Sequence, residues 1–127
     1  MTSILIVEDD PDVLNLARLW LEREGYAVSQ AADGKAALAA LAADPLPNLV
    51  LLDIMLLKID GYEVLRRIRI DARTKALPVV MVTSFSREKD MKRGFRLGAS
   101  DYIVKPLAEL DFLGRVSNAL GIKRPAK

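Results

Sequence analysis

The sequence contains no cysteine and no histidine. A chain without cysteine forms no disulfide bond and offers no thiolate to a metal ion. A chain without histidine lacks the commonest general base, the usual nitrogen ligand of zinc and any phosphohistidine of its own. Chemistry in this protein is therefore left to carboxylates, hydroxyls and the cationic side chains of lysine and arginine.

Long hydrophobic runs are also lacking. No apolar stretch approaches the ~20 residues of a membrane-spanning helix, and no basic segment with a cleavage site precedes the first strand pattern. We therefore expect a cytoplasmic protein without a membrane partner. The 127 residues suit one domain, and no repeat, low-complexity segment or linker divides them. We predict a single domain over residues 1–121 and a basic tail over residues 122–127.

Opposite charges are concentrated in the two halves of the chain, although the net charge is only +2. Residues 1–60 hold four Lys or Arg and ten Asp or Glu, whereas residues 61–127 hold fifteen and seven. This asymmetry predicts an acidic cation site early in the chain and a basic docking surface late; an ordinary solvated surface is the alternative. Aromatic residues form only 6% of the chain, so a nucleic-acid surface that interleaves aromatic and basic side chains is not favoured.

The apolar run Leu49–Leu52 stops at a carboxylate, Asp53. The run is too short for a core helix and follows a proline, so it predicts a buried strand with Asp53 at its end. Asp60-Gly61, with Glu63 three residues after Asp60, predicts the start of a helix. Three other strand patterns also end in polar residues: Ile4–Val7 in Glu8-Asp9-Asp10, Leu77–Val82 in Thr83-Ser84, and Tyr102–Val104 in Lys105-Pro106.

Helical patterns separate the strands and complete an alternating order. Residues 26–29 predict the remaining strand, while residues 36–43 and 87–97 predict the second and fourth helices. The last helix is predicted with one buried side formed by Leu110, Leu113, Val116 and Leu120. This alternation favours an α/β fold in which helices cover both faces of a doubly wound, five-stranded parallel sheet. Ligands of such sheets bind beyond the carboxyl ends of the strands, where the polar residues fall.

These strand ends supply the groups of a phosphoryl-transfer site. The carboxylates of Glu8, Asp9 and Asp53 repel one another and need a cation, and oxygen ligands without histidine or cysteine suit Mg²⁺. Asp53 is the natural nucleophile for phosphorus, because the other two acids come from a different strand. The Thr83 hydroxyl and the Lys105 ammonium can bind the phosphoryl oxygens.

Each of these residues also has an ordinary structural interpretation. Acids after a strand can stabilise a helix N-terminus through the helix dipole, and Asp53 or Thr83 can simply cap a turn. Lys105 alone is compatible with a solvated charge. The joint occurrence of these residues at four strand ends favours the functional interpretation.

Taken together, the residues resemble the receiver domain of two-component response regulators over essentially the whole chain. The resemblance rests on Val7-Glu8-Asp9, Leu52-Asp53-Ile54-Met55 with Asp60-Gly61, Val82-Thr83, Gly98-Ala99-Ser100-Asp101-Tyr102 and Lys105-Pro106. It implies the three-layer, flavodoxin-like fold with strand order 2-1-3-4-5. It also implies a cis peptide bond before Pro106.

The resemblance implies that Asp53 accepts a phosphoryl group from a histidine kinase or a histidine phosphotransfer protein. Mg²⁺ is the implied cofactor, and Glu8 is expected behind the other metal ligands. The implied ligand set comprises the side chains of Glu8, Asp9 and Asp53 and the carbonyl oxygen of Met55. Thr83 and Lys105 would hold the phosphoryl oxygens.

The resemblance also implies a switch formed by Thr83 and Tyr102, in which Tyr102 turns inward on phosphorylation. The change is expected to surface on the fourth helix, the fifth strand and the fifth helix. The predicted partner surface comprises Arg87, Lys89, Lys92, Arg93, Arg96 and Tyr102. The chain would then signal by binding a target protein or a second copy of itself, and would not be an enzyme for another substrate.

Three residues depart from the family pattern. Leu57 stands where proline is usual, and Ser84 stands where alanine is most common. Gly94 interrupts the fourth helix and is expected to lower its stability by ~1 kcal/mol relative to alanine. Two alternatives stay open: a receiver excised from a larger regulator or hybrid kinase, and a Mg²⁺-dependent phosphohydrolase with an aspartyl-phosphate intermediate. The hydrolase is less favoured, because it needs a second acid beside Asp53 to activate water, and Ile54 and Met55 offer none.

Overall fold

The computed structural model describes residues 1–56, 59–84 and 88–122. Strands and helices alternate along the chain, as the sequence predicts. The strands are β1 (Ser3–Val7), β2 (Ala27–Ala31), β3 (Leu49–Asp53), β4 (Val79–Thr83) and β5 (Asp101–Val104). The helices are α1 (Pro11–Arg23), α2 (Gly34–Leu41), α3 (Gly61–Ile70), α4 (Glu88–Arg96) and α5 (Glu109–Leu120).

The strands form one five-stranded sheet in the order β2-β1-β3-β4-β5, and every neighbouring pair is parallel. The predicted fold class and strand order are therefore confirmed. The order of connection reverses between β1 and β3, and in doubly wound sheets this reversal opens a crevice for ligands beyond the strand ends.

Apolar side chains cover both faces of the sheet. Every residue of β3 and of β4 is buried, as parallel strands between two helical layers require. Because successive strand residues point to opposite faces, Val50 and Leu52 pack in the layer formed by α2, α3 and α4. Leu49 and Leu51 pack in the layer formed by α1 and α5. We call these the α2–α4 face and the α1–α5 face.

Contacts with neighbouring elements move some boundaries away from the sequence prediction. Strand β2 continues to Ala31 because its whole length pairs with β1, from Ser3 beside Ala27 to Val7 beside Ala31. Helix α2 starts at Gly34, two residues early, since the Asp33 side chain accepts a hydrogen bond from the Ala36 N–H and caps it.

The predicted buried side of α5 is wrong at one position. Leu110 is 70% exposed, and Phe112, which the sequence analysis did not select, is fully buried in its place. Phe112 reaches the α1–α5 face, where its ring lies 5.8 Å from that of Trp20. Phe112 lies four residues before Val116 and therefore shares its buried side of the helix, whereas Leu110 does not.

Two X-Pro peptide bonds are cis: Lys105–Pro106, as the resemblance implies, and Asp44–Pro45, which the sequence does not indicate. Strand β4 starts at Val79, two residues later than predicted, and includes Thr83. Of the predicted tail, only Ile122 lies within the described residues. Among the helices of the described ranges, none has the length and apolar character needed to cross a membrane.

Candidate functional site

The acids of the candidate site are brought together by the pairing of β1 with β3. Val7 lies beside Leu52 in this register, so the next residue on each strand, Glu8 and Asp53, stands at the same level. One carboxylate oxygen from each of Glu8, Asp9 and Asp53 lies within 4.8 Å of the other two. We call these three residues the acid cluster, and they are the three acids that the sequence analysis selected.

The acid cluster is unevenly exposed. Glu8 and Asp53 are only 2% and 4% exposed, whereas Asp9 is open to solvent. Burial removes water from a carboxylate and disfavours its charged form. It raises the pKa of Glu8 to about 7, although the hydrogen bond from Lys105 acts in the opposite direction. The structure therefore holds acidic groups where charge is costly without a cation.

Lys105 supplies one positive charge to this cluster. Its Nζ lies 2.8 Å from Glu8 Oε1 and 3.1 Å from Asp53 Oδ2. Burial lowers the pKa of Lys105, but the hydrogen bonds and charges of Glu8 and Asp53 outweigh this effect and raise it. Lys105 is therefore a cation placed between two of the three acids of the cluster.

Asp53 is held by the loop and helix that follow it. The Met55 N–H donates to Asp53 Oδ1 at 3.1 Å, and the Gly61 N–H donates to the Ile54 carbonyl at 2.8 Å. A Cβ atom added at Gly61 would lie 2.2 Å from the Asp53 carbonyl oxygen. Only glycine fits this contact, so the start of α3 packs directly on the main chain of Asp53. The role of the Met55 carbonyl as a metal ligand stays a prediction.

Thr83 and Lys105 come from β4 and from the end of β5, which lie on the other side of β3 from β1 and Glu8. Val82 pairs with Asp53, and Thr83 pairs with Val104. Thr83 therefore stands one residue beyond Asp53 on the next strand, and Lys105 follows directly after β5. The Thr83 side chain is fully buried. The sheet thus places at one edge all five side chains that sequence analysis assigned to the phosphoryl site.

Tyr102 points into the α2–α4 face and is only 2% exposed. Its hydroxyl donates to the Asp90 carbonyl at 3.0 Å, and its ring lies 5.3 Å from that of Phe95. Burial and the neighbouring Tyr62 hydroxyl raise the pKa of Tyr102, so the phenol is neutral at physiological pH. The ring is therefore inward in this structure, and an inward turn caused by phosphorylation stays a prediction.

Gly94 has a role that the sequence analysis missed. A Cβ atom at this position would lie 2.0 Å from the Tyr102 hydroxyl and 2.7 Å from two ring carbons. The glycine is therefore the residue that admits the Tyr102 ring, while its expected cost to the stability of α4 stays a prediction. Sequence offers no signal for this packing, because Gly94 and Tyr102 lie on different elements.

The predicted partner surface is exposed on α4. Lys89, Lys92, Arg93 and Arg96 all face solvent, whereas Arg87 lies outside the described residues. The prediction of Tyr102 as part of this surface is wrong for this conformation, because its ring is buried under α4. Lys92 forms a 3.0 Å ion pair with Glu88. A cleft of about 340 Å³ between α3 and α4 is lined in part by Arg66, Arg93 and Arg96. The surface of α4 therefore carries a positive potential that continues onto α3.

The acid cluster can hold a divalent metal ion. Its donors are carboxylate oxygens alone, and hard cations such as Mg²⁺ prefer such ligands. Mg²⁺ usually keeps several waters, which the open side of Asp9 permits. The donor set therefore fits the ion that the sequence predicts, and Mg²⁺ itself stays part of the proposal below.

The family model for the response regulator receiver domain matches residues 4–117. The chain belongs to the response regulator receiver domain family. Receiver domains of this family are the phosphoryl-accepting switches of two-component signalling, and the resemblance found in the sequence is thus confirmed.

The relatives of this receiver domain include longer regulators. The DNA-binding dual master transcriptional regulator RpaA of Synechocystis is 44% identical over 116 residues, which are 91% of this chain and 48% of RpaA. The chain thus spans about half the length of this curated relative.

Solved structures agree with the fold throughout. A response regulator of Chloroflexus aurantiacus superimposes with a TM-score of 0.90 at 37% identity, covering 94% of this chain and 98% of that one. The receiver domain of the Pseudomonas aeruginosa sensor histidine kinase PA1611 gives a TM-score of 0.86 at 27% identity, with the same two coverages of 94% and 98%. That structure holds a magnesium ion in its active-site cleft.

Proposed function

We propose that Asp53 accepts a phosphoryl group from the phosphohistidine of a histidine kinase or a histidine phosphotransfer protein. One observation carries this proposal: Asp53 is buried at the end of β3, with a carboxylate oxygen within 4.8 Å of oxygens of two other acids and 3.1 Å from Lys105 Nζ. In this position Asp53 can share a metal ion with the exposed Asp9 and can receive a phosphoryl group whose oxygens lie beside Lys105. Membership of the receiver family supports this assignment.

In the proposed reaction an Asp53 carboxylate oxygen attacks phosphorus. A new O–P bond forms, the N–P bond of the donor breaks, and the leaving imidazole keeps the electron pair and takes up a proton. Lys105 neutralises one phosphoryl oxygen, for which its ammonium exchanges its present contacts with Glu8 Oε1 and Asp53 Oδ2. The Thr83 hydroxyl donates to another phosphoryl oxygen.

Mg²⁺ would be held by Glu8, Asp9, Asp53 and the Met55 carbonyl. When bound, the ion supplies positive charge that offsets the repulsion between the acid cluster and an incoming phosphoryl dianion. Glu8, buried behind Asp9, would contribute negative charge to the site, and Lys105 would remain free to follow the phosphoryl group. The proposed site thus uses two cations, Mg²⁺ for the acids and Lys105 for the phosphoryl oxygens.

The test is the intact mass of the protein after incubation with acetyl phosphate and Mg²⁺. We expect one phosphoryl adduct in the wild type and none in Asp53→Asn or in excess chelator. Asp12→Asn makes the same chemical change at an exposed acid and should be phosphorylated normally. An undiminished adduct in Asp53→Asn, or in the chelated wild type, contradicts the proposal.

The proposed output is a protein contact. Phosphorylation would act through Thr83 and Tyr102 on the surface of α4, β5 and α5, where Lys89, Lys92, Arg93 and Arg96 favour an acidic partner or a second copy. We propose no nucleic-acid contact for this domain and no catalysis on other substrates beyond loss of its own phosphoryl group. A cytoplasmic location is part of the proposal, because the donor phosphohistidine is made from ATP.

A further inference from the structure

Helix α4 packs against the rings of two tyrosines, Tyr62 and Tyr102. Asp90, Arg93 and Gly94 are spaced i, i+3 and i+4, so they lie on one face of the helix. We call these three residues the tyrosine seat. Arg93 Cζ lies 4.1 Å from the centre of the Tyr62 ring, and Gly94 leaves the space that Tyr102 fills. The seat therefore holds one tyrosine from α3 and one from β5.

Both hydroxyls use the same acceptor. Tyr62 and Tyr102 each donate to the Asp90 carbonyl oxygen at 3.0 Å. The two residues are 5% and 2% exposed, and a buried hydroxyl that loses its acceptor suffers the full loss of its hydration. Both rings are therefore held against α4. A displacement of either ring that shifts the Asp90 carbonyl also changes the hydrogen bond of the other ring.

Tyr62 directly follows the residue that packs on the strand carrying Asp53. Its neighbour Gly61 leaves no room for a Cβ atom against the Asp53 carbonyl, and the Gly61 N–H binds the Ile54 carbonyl at 2.8 Å. The Asp60 side chain caps the same helix turn by accepting from the Glu63 N–H at 3.0 Å. A shift of the main chain at Asp53 must therefore shift the first turn of α3, where Tyr62 lies.

We propose that Tyr62 is a second positioning residue of the switch, which transmits movement at Asp53 through the first turn of α3 to the tyrosine seat on α4. The inference rests on the proposed function of Asp53. Tyr62 acts through α4 and not on the phosphoryl group itself. Two routes then converge on α4, one through α3 and Tyr62 and one through β5 and Tyr102.

The route through Tyr62 matters because Tyr102 is already inward. A switch that relied only on an inward turn of Tyr102 would have little left to change in this conformation. Tyr62 requires no such turn, because a small displacement of its ring alters its own hydrogen bond to the Asp90 carbonyl and, where that carbonyl follows, the bond of Tyr102 as well. The Arg93 guanidinium on the Tyr62 ring moves with it, so the change also reaches the exposed basic surface of α4.

The experiment measures amide hydrogen exchange of α4 in the unphosphorylated protein and in steady-state phosphorylation with acetyl phosphate and Mg²⁺. The variants are Tyr62→Phe, Tyr102→Phe and the double variant, each of which removes only hydroxyls. Tyr26→Phe is the matched control, since Tyr26 packs on the α1–α5 face. Intact mass confirms the extent of phosphorylation in each sample.

We expect loss of the Tyr62 hydroxyl to speed α4 exchange about fivefold in the unphosphorylated protein. The decisive quantity is the ratio of exchange rates between the two states, which should shrink in Tyr62→Phe and remain wild-type in Tyr26→Phe. The double variant should show less than the product of the two single effects, because the hydroxyls share one acceptor. A purely structural role would speed exchange equally in both states.

A wild-type ratio in fully phosphorylated Tyr62→Phe overturns this inference and leaves the proposed function intact. Absence of any adduct in the wild type instead overturns the proposed function, and the inference falls with it. The mass measurement therefore separates the two failures.

Discussion

The acid cluster buries two carboxylates, and the tyrosine seat buries two hydroxyls to a similar extent. The carboxylates share one ammonium, from Lys105, and the hydroxyls share one carbonyl, from Asp90. Burial shifts the pKa of Glu8 to about 7, inside the physiological range. It shifts the pKa of Tyr102 upward, away from that range. Equal burial therefore makes one region sensitive to ions and leaves the other neutral.

The difference teaches how one small domain separates its input from its output. A buried charge responds strongly to any cation or anion that approaches, because the surrounding protein screens it poorly. A buried hydroxyl responds to displacement, because its energy depends on one hydrogen bond of fixed length. The acid cluster is thus suited to chemistry and the tyrosine seat to movement.

The largest expected effect tests the packing of the seat. Gly94→Ala would place a methyl group against the Tyr102 hydroxyl, so we expect the free energy of unfolding to fall by roughly 1–3 kcal/mol. Gly114→Ala is the matched control, since nothing lies within 4 Å of a Cβ atom there, and it should add about 1 kcal/mol. Urea unfolding measures both. Equal changes in the two variants would show that the seat is loosely packed.

The second prediction concerns the pH response of the metal-free protein. The folded pKa of Glu8, about 7, exceeds its ordinary value of 4.5, so the native state binds the extra proton. Stability from this group is fully present below pH 4.5 and is lost as the pH rises to about 7. We expect unfolding free energy measured with chelator to fall by about 2 kcal/mol between pH 5 and 8. Glu8→Gln should remove most of this fall in the unfolding free energy. An equal fall in Glu8→Gln and the wild type would refute the assignment of the pH response to Glu8.

The third prediction separates the cation of the acid cluster from the metal. Lys105→Ala removes the ammonium that contacts Glu8 and Asp53, so we expect Mg²⁺ to bind as tightly as in the wild type or up to about tenfold more tightly. The spectral change caused by phosphorylation should be largely lost, because Lys105 is proposed to hold the phosphoryl oxygens. Titration calorimetry and fluorescence test the two parts. Weaker Mg²⁺ binding would mean that Lys105 organises the metal ligands.

The smallest expected effect tests the outer surface of α4. Lys92→Glu combined with Arg96→Glu should weaken phosphorylation-dependent association about fivefold, because exposed charges act mainly on encounter. The control pair Lys35→Glu and Lys75→Glu makes the same charge change at exposed sites off α4. Sedimentation of the phosphorylated variants, alone and with a candidate kinase, compares them. Identical assembly of all variants would exclude the basic helix as the output surface. If the kinase phosphorylates the α4 variant more slowly than the wild type, the basic helix is instead a docking surface for the kinase.

Strand ends were the predictable part of the site. Asp53, Thr83 and Lys105 each follow a run of apolar residues. Such runs predict both the buried strand and the residue at which it ends. Parallel strands deliver their carboxyl ends to one edge, so the convergence of these groups followed from the pattern. The basic character of α4 was equally visible, since charge is a property of composition.

Contacts between elements were not predictable in the same way. The burial of Phe112 in place of Leu110 is an exception, because Phe112 lies at helical spacing from Val116 and was open to prediction. The pairing of Tyr62 with Tyr102 depends on the distance from α3 to β5 across α4. That distance has no counterpart in local spacing, so neither the position of Tyr62 nor the space that Gly94 leaves could be predicted.

By itself, then, the sequence determined the layered α/β class, the strands that carry the acids and the chemical character of the site, because these depend on local hydrophobic periodicity and on residue type. Tertiary structure alone decided that Lys105 lies between Glu8 and Asp53, that Gly61 packs on the Asp53 carbonyl and that two tyrosines meet at Asp90. The physical reason is that burial and shared hydrogen bonds arise only when distant segments exclude water from one another, and that exclusion depends on the packed whole.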